Sequence, residues 1–282
     1  MFTLPKKRSG FTLVEMIIVI VITGIIGGMV AIFIRAPVQG YVDSARRAEL
    51  TDIADTAMRR LARDVHTAVP NSLRSTNCTA PCVEFLPTKD GGRYRGDTGG
   101  NNNILVFGPS GTTQFDIVGT AMSSVTATTD FIVVGSGQPN GAPPFAYAYD
   151  QTAAGILRQV TNMTNGSATV TFAAPALPYL AKLSSRHFSV VDGTQRAVAY
   201  ACEGLGKDAN GNGTGQLKRY WNYGFNVAPS VNSAILANKV ELCDFNYSAS
   251  NQRFGLLAVT LKLTSGGESV TLYNEIHVNN VP

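Results

Sequence analysis

Gly10, Phe11 and Glu15 are the residues whose types and spacing point most directly to chemistry. Glu15 is the only charged side chain between Phe11 and Ile34, where the other polar groups are Thr12 and Thr23. A carboxylate in hydrocarbon costs on the order of 2.5–3.5 kcal/mol on insertion scales, so it calls for a partner. Hydrolysis of the Gly10–Phe11 bond would supply one. The new α-amine on Phe11 is a cation about one helical turn from Glu15. The two could meet within one chain. Alternatively, the amine of one chain could be neutralised by Glu15 of a neighbour in a helical stack, an ion pair completed only on assembly.

Such a pair needs an apolar helix to carry it. Phe11–Ile34 is 24 residues long, roughly 36 Å as a helix and enough for a bilayer core. Arg35 closes the run, and Lys6, Lys7 and Arg8 precede it. The positive-inside bias then sets residues 1–10 in the cytoplasm and the body outside. A secretory signal peptide has a shorter apolar region, about 7–15 residues, followed by a small-x-small cleavage site. A plain single-span anchor fits the length but has no use for Glu15.

The stretch "KKRSGFTLVE" resembles the class III leader of type IV pilins and pseudopilins: a short basic leader, glycine, phenylalanine, then Thr-Leu-Val-Glu. The resemblance implies cleavage after Gly10 by prepilin peptidase on the cytoplasmic face and N-methylation of Phe11. It also implies that Glu15 guides the subunit into a filament, in company with other major and minor pilins, an inner-membrane assembly platform and its ATPase. The expected location is the bacterial inner membrane, single-pass with a periplasmic head, and then the pilus. The head of about 210 residues is large for a major pilin. The segments "ARRAELTDIADTAMRRLARDVHTAVPNSLR" and "GGESVTLYNEIHVNNVP" are similar to a biogenesis minor pilin of the mannose-sensitive haemagglutinin (MSHA) pilus. Such a subunit acts in pilus initiation or tip assembly and serves cell adhesion. A minor pseudopilin of type II secretion is the nearer rival, and a membrane-anchored periplasmic ligand-binding protein is the rival of another class.

The expected fold class is α+β and pilin-like: a long transmembrane and spine α-helix packed on a C-terminal antiparallel β-rich head. The divisions are a leader at 1–10, the transmembrane half of the helix at 11–34, its amphipathic periplasmic half at 35–69 and the head at 70–282. Gly24, Gly27, Gly28 and Ala31 place small residues late in the span, with Gly24 and Gly28 at helix-contact spacing or simply tolerated in a membrane helix. Pro37 should kink or interrupt the helix. Ile53, Ala57, Leu61 and Val65 then form an apolar stripe, which Val42, Ala45 and Ala68 extend, and Pro70 ends it.

Beyond Asn71 short alternating runs are separated by Gly, Asn, Pro and Ser: "ILVF" at 104–107, "QFDIV" at 114–118, "FIVV" at 131–134 and "FAYAY" at 145–149. "ILRQV" at 156–160, "ATVTF" at 168–172, "HFSVV" at 187–191, "AVAYAC", "LKRYWNYGF" and "KVELCDFNY" continue the series. The clearest hairpin is last. Leu257, Val259, Leu261 and Leu263 alternate with polar or small neighbours, "TSGGE" turns, and Val270, Leu272, Ile276 and Val278 return. The glycine-rich "DGGRYRGDTGGNNN" at 90–103 reads as a surface loop.

Four cysteines outside the cytoplasm imply disulfides. Of three connectivities, Cys78–Cys82 with Cys202–Cys243 is expected, the first pinning the loop after the helix and the second tying distant β segments. Zinc is disfavoured, since no histidine has fitting spacing. Asp208, Asn210 and Asn212, with Gly213, match the start of a calcium loop, but Arg219 stands where its bidentate glutamate should be. A hairpin tip explains these residues without an ion, so no cofactor is expected. His66, His187 and His277 fall on different elements, and no nucleophile elbow, phosphate loop or H-E-x-x-H is present. No enzyme is indicated. Arg219, Tyr220, Trp221 and Tyr223 could face a sugar or single-stranded nucleic acid, but read better as a strand with an aromatic core face. The net charge is +4, and Lys6, Lys7 and Arg8 supply three of it. A body at +1 is not a nucleic-acid-binding one.

Overall fold

A computed structural model of the chain describes residues 10–75, 78, 81–97, 103–137, 147–163, 168–230, 232–248, 255–278 and 280. The basic leader before Gly10, residues 98–102 of the glycine-rich stretch and residues 145–146 of "FAYAY" lie outside them. The chain divides into two compact units, Met1–Glu49 and Leu50–Pro282. Helix α1, Leu13–His66, contributes residues to both.

The first unit is the apolar half of α1. Among the described residues α1 is the one helix long and apolar enough to cross a membrane, with no part of its most apolar window buried. The helix runs on through Pro37, so the interruption considered from the sequence does not occur. A single proline removes the bond to the Phe33 carbonyl at a cost of about 3 kcal/mol, while the intact turns on either side keep the helix together. Gln39 and Arg46 both reach Asp43, at 3.1 and 3.6 Å.

The second unit begins with the rest of α1, whose buried stripe is Leu50, Ala54, Ala57, Met58, Leu61 and Val65. Ile53 is only half-buried, so the stripe lies one position off the expected one at that end. The helix stops four residues before Pro70. The Thr67 N–H and hydroxyl both donate to the Asp64 carbonyl, at 3.0 and 2.7 Å, and the Ala68 N–H donates to Val65. These tightened bonds satisfy carbonyls that a helix end leaves unpaired.

The strands in chain order are β1 (Cys82–Phe85), β2 (Thr88–Tyr94), β3 (Gln114–Val118), β4 (Phe131–Val134), β5 (Leu157–Asn162) and β6 (Thr169–Phe172). There follow β7 (His187–Val191), β8 (Val198–Glu203), β9 (Gly215–Trp221), β10 (Asn232–Asn246), β11 (Leu256–Ser265) and β12 (Glu268–His277). They form a six-stranded antiparallel sheet, β1-β8-β9-β10-β11-β12, and a closed barrel, β2-β3-β6-β5-β4-β7. The barrel is inserted between β1 and β8, which are nonetheless neighbours, Cys82 opposite Ala201 and Phe85 opposite Val198.

One face of the sheet carries Val83, Phe85, Val198, Tyr200, Leu217, Leu257 and Leu261 into a shared core with Leu50–Val65 of α1. Ala199, Ala201, Tyr220 and Tyr223 belong instead to the core that contains the barrel residues Phe115, Phe172 and Phe188. Strand β8 is therefore covered on both faces, which is why "AVAYAC" is apolar throughout instead of alternating. Each fully buried Leu or Phe in these cores contributes about 1.5–3 kcal/mol.

Several segments depart from the sequence expectation, among them residues 147–149, the described end of "FAYAY", which lie in no strand. Thr88–Tyr94 is a barrel strand, not part of a surface loop. Its glycines answer to packing: a Cβ on Gly91 would lie 3.1 Å from the Phe188 carbonyl oxygen, and one on Gly92 would lie 2.9 Å from the Met122 terminal methyl. "ILVF" at 104–107 is not a strand, although Leu105 and Phe107 are buried in the barrel core. Strand β10 begins at Asn232, seven residues before the run recognised in sequence, because register shifts near Ala237 and Val240 break its alternation.

Candidate functional site

Gly10, Phe11 and Thr12 precede α1, so the Gly10–Phe11 bond lies outside the helix, two residues from Leu13. Phe11 is 82% exposed, and nothing lies within 4 Å of a Cβ placed on Gly10. Glu15 is exposed in the first turn of α1.

The structure gives Glu15 a local role that the sequence reading missed. Its carboxylate accepts from the Thr12 N–H at 3.4 Å, while the Glu15 N–H donates to the Thr12 hydroxyl at 3.3 Å. The Thr12 carbonyl accepts the first helical bond, from Met16 at 3.2 Å. This is a capping box, which pairs two of the donors left unsatisfied at a helix start. The signal was present as Thr-x-x-Glu immediately before an apolar run. The carboxylate retains unused lone pairs and stands one turn from Phe11, so capping does not preclude a bond to an amine. Around Gly24, Gly27 and Gly28 a Cβ would meet nothing within 4 Å. Among the described residues no packing accounts for these glycines.

The head is fastened by polar groups that were not legible beforehand. Asp64, on α1, accepts from Arg60 Nε at 3.2 Å, the Tyr200 hydroxyl at 2.8 Å and Arg219 Nε at 2.7 Å, tying helix to sheet. Arg219, also lying over Trp221 at 5.5 Å, is thereby committed to the fold. Tyr220 and Tyr223 are buried, in keeping with an aromatic core face. Burial first, and then its bond to Glu203, push the Tyr220 hydroxyl up to about 12. Arg74 pairs with Glu84 where both side chains are almost wholly buried. Its guanidinium also lies 3.6 Å from the Tyr149 ring centre and donates to Asn226 at 2.8 Å. Glu84 in addition accepts from the Tyr223 hydroxyl at 2.8 Å, and burial followed by the Glu84 charge raises that hydroxyl's pKa.

The structure holds disulfides between Cys78 and Cys82 and between Cys202 and Cys243. The first lies between the end of α1 and β1, and the second joins β8 to β10. The residues of the calcium-like loop bond to one another. Asp208 Oδ1 accepts from the Asn210 and Asn212 N–H groups at 2.9 and 2.7 Å, and Oδ2 from the Asn212 amide at 3.2 Å. The Asn212 side-chain oxygen Oδ1 accepts from the Gly266 N–H at 2.8 Å. These bonds pin the loop to the β11–β12 turn. Among the described residues no three His, Cys, Asp or Glu side chains are grouped to hold a metal ion.

One long apolar N-terminal helix followed by a β-rich domain is consistent with a pilin-like α+β arrangement. Residues 5–31 match the family described as "Prokaryotic N-terminal methylation motif". That motif implies a type IV pilin-like or pseudopilin protein, processed by prepilin peptidase and assembling with other pilins, and its family is structural, not enzymatic. No curated protein matches the chain. Among solved structures it is similar to the phage phi92 endosialidase, with 13% identity over 68% of this chain and 32% of that one, at a TM-score of 0.17. The chain thus spans about a third of that protein's length, and the likeness carries no argument.

Proposed function

We propose that the chain is a minor pilin, resembling MshO of the MSHA pilus, that acts in initiation or tip assembly of the filament. The observation that carries the reading is the methylation motif at residues 5–31, with Gly10, Phe11, Glu15 and the apolar run in register. The narrower assignment rests on the resemblance of the α1–Arg74 segment and the β12 segment to that subunit. In this reading residues 1–10 are the leader, 11–34 span the inner membrane, 35–69 complete the spine helix and 70–282 form the periplasmic head. Cleavage removes Lys6, Lys7 and Arg8, the cytoplasmic positive anchor, and frees the Phe11 amine, which is then methylated. Extraction into the filament exchanges lipid for neighbouring apolar helices, and Glu15 closes an ion pair with an amine as it enters.

Deletion of the gene tests this reading. Surface filaments should fall sharply while the major subunit remains in the membrane, and the intact gene should restore them. Unchanged filaments with lost protein secretion would move the chain to the type II pseudopilins. Unchanged filaments and secretion would leave an anchored periplasmic binding protein.

A further inference from the structure

A cleft of about 590 Å³ opens beside the C-terminal end of α1, along barrel strands β2, β7 and β4. Phe188 and Val190 belong to the barrel core, so His187 and Ser189 alternate to the outer face of β7. Arg93 lies directly opposite His187 in the β2–β7 register. His66 reaches the same cleft from α1, although 121 residues separate the two histidines in sequence.

The cationic side is not neutralised. Among the described residues no Asp or Glu lines the cleft, and Asp90, Asp97 and Asp130 are engaged elsewhere. Asp90 binds the Gly91 N–H and the Ser124 hydroxyl, Asp97 binds Arg186 through both oxygens at 2.5 and 2.8 Å, and Asp130 binds Lys89 at 2.9 Å. Arg93 donates through Nε to the Ser185 carbonyl at 3.3 Å and pairs with no carboxylate among the described residues. The Arg93 guanidinium beside the imidazole of His187 therefore offers hydrogen-bond donors to an anion.

A second observation comes from Ser136. It lines the cleft and is 3% exposed, and its hydroxyl has no hydrogen-bond partner among the described residues, while its carbonyl is held by the Asn71 side-chain amide at 2.8 Å. A buried hydroxyl without a partner costs about 1–3 kcal/mol, which a ligand's polar group would recover. The volume lies in the range of small-molecule sites, about 300–1,000 Å³, and exceeds what a bare oxyanion fills.

We propose that this cleft binds a small acidic molecule, its phosphate or carboxylate held by Arg93 with His187 and His66, and a polar group of its body bonded to Ser136. A guanidinium beside imidazoles suits such an oxyanion, which it can bind through two parallel bonds.

The test uses the full chain in non-ionic detergent, titrated with inorganic phosphate, glucuronate and glucose by calorimetry and by the imidazole NMR signals. Saturable binding of phosphate or glucuronate, with shifted His66 and His187 signals and no binding of glucose, is the expected result. Whichever anion saturates assigns the headgroup. Arg93→Gln should weaken binding at least tenfold and Ser136→Ala several-fold, with melting temperatures unchanged. The proposal is overturned by absence of saturable binding of both anions, by glucose binding equally well, or by equal affinity in Arg93→Gln. Should a variant fail to fold, the wild-type imidazole signals decide alone, and signals unmoved at saturation overturn the site.

Discussion

Glu15 has two uses, capping α1 and neutralising an amine, and three substitutions separate them. Thr12→Ala removes the cap and keeps the charge. Glu15→Gln keeps a residue that can close a capping box but removes the charge, and Glu15→Ala removes the charge together with the carboxylate's half of the box. The cap distances, 3.4 and 3.3 Å, exceed the usual range of about 2.7–3.2 Å. The cap is therefore worth the lower end of the ordinary range, about 0.5 kcal/mol, or roughly a twofold effect. Leaving an amine without its carboxylate in an apolar filament core costs on the order of 2.5–3.5 kcal/mol, roughly a hundredfold effect on partition into the filament. The assay is the amount of each variant in sheared filaments relative to its membrane pool, by immunoblot. Thr12→Ala should stay within about twofold of wild type, while Glu15→Gln and Glu15→Ala should both fall by an order of magnitude or more with folding and cleavage intact. Wild-type incorporation of Glu15→Gln, with Thr12→Ala as poor as Glu15→Ala, would refute the charge argument.

Other predictions concern the head. Glu84→Ala should cost about 3–5 kcal/mol, because it strands a buried guanidinium; in urea unfolding a midpoint at the wild-type value would contradict the ion pair's role. Asp97 is held below the ordinary carboxylate range by its bond from Arg186, Glu203 by bonds from Tyr220 and Lys218, and Glu241 by bonds from Lys262 and Thr264. Their stabilisation is full above the unfolded carboxylate pKa and is lost as pH falls through the depressed folded values, so urea midpoints should decline as pH falls below about 4.5. A midpoint constant over that range would count against these bonds. Because Asp208 already accepts three bonds, calcium and chelator should leave the melting temperature unchanged; a saturable rise that Asp208→Ala abolishes would establish a calcium site instead.

What was legible in the sequence was local. The apolar run and the late stripe of α1 declare themselves through length and period, and "QFDIV", "FIVV" and "HFSVV" coincide with β3, β4 and β7. The last hairpin was readable because Gly266 and Gly267, both with positive φ, turn two long alternating strands. The barrel's separateness was not. Its strands have the same length and period as those of the sheet, and nothing in Val83 or Tyr200 announces their pairing across an inserted barrel. Gly91 and Gly92 mimicked a loop, since the Phe188 contacts that require glycine come from a strand nearly a hundred residues away. The Asp64 and Arg74 clusters also escaped, because each joins elements remote in sequence. At the N-terminus the pattern of Gly10, Phe11 and Glu15 was clear, but Thr12 carried no role until its bonds with Glu15 were seen.

The most direct test of the account is the N-terminal mass of the chain extracted from membranes of a strain with working prepilin peptidase. A chain beginning at N-methyl-Phe11 is the predicted result and would establish processing at the Gly10 junction. A chain still beginning at Met1 would contradict it, leave Glu15 as a helix cap in an ordinary anchor, and move the search for function to the head.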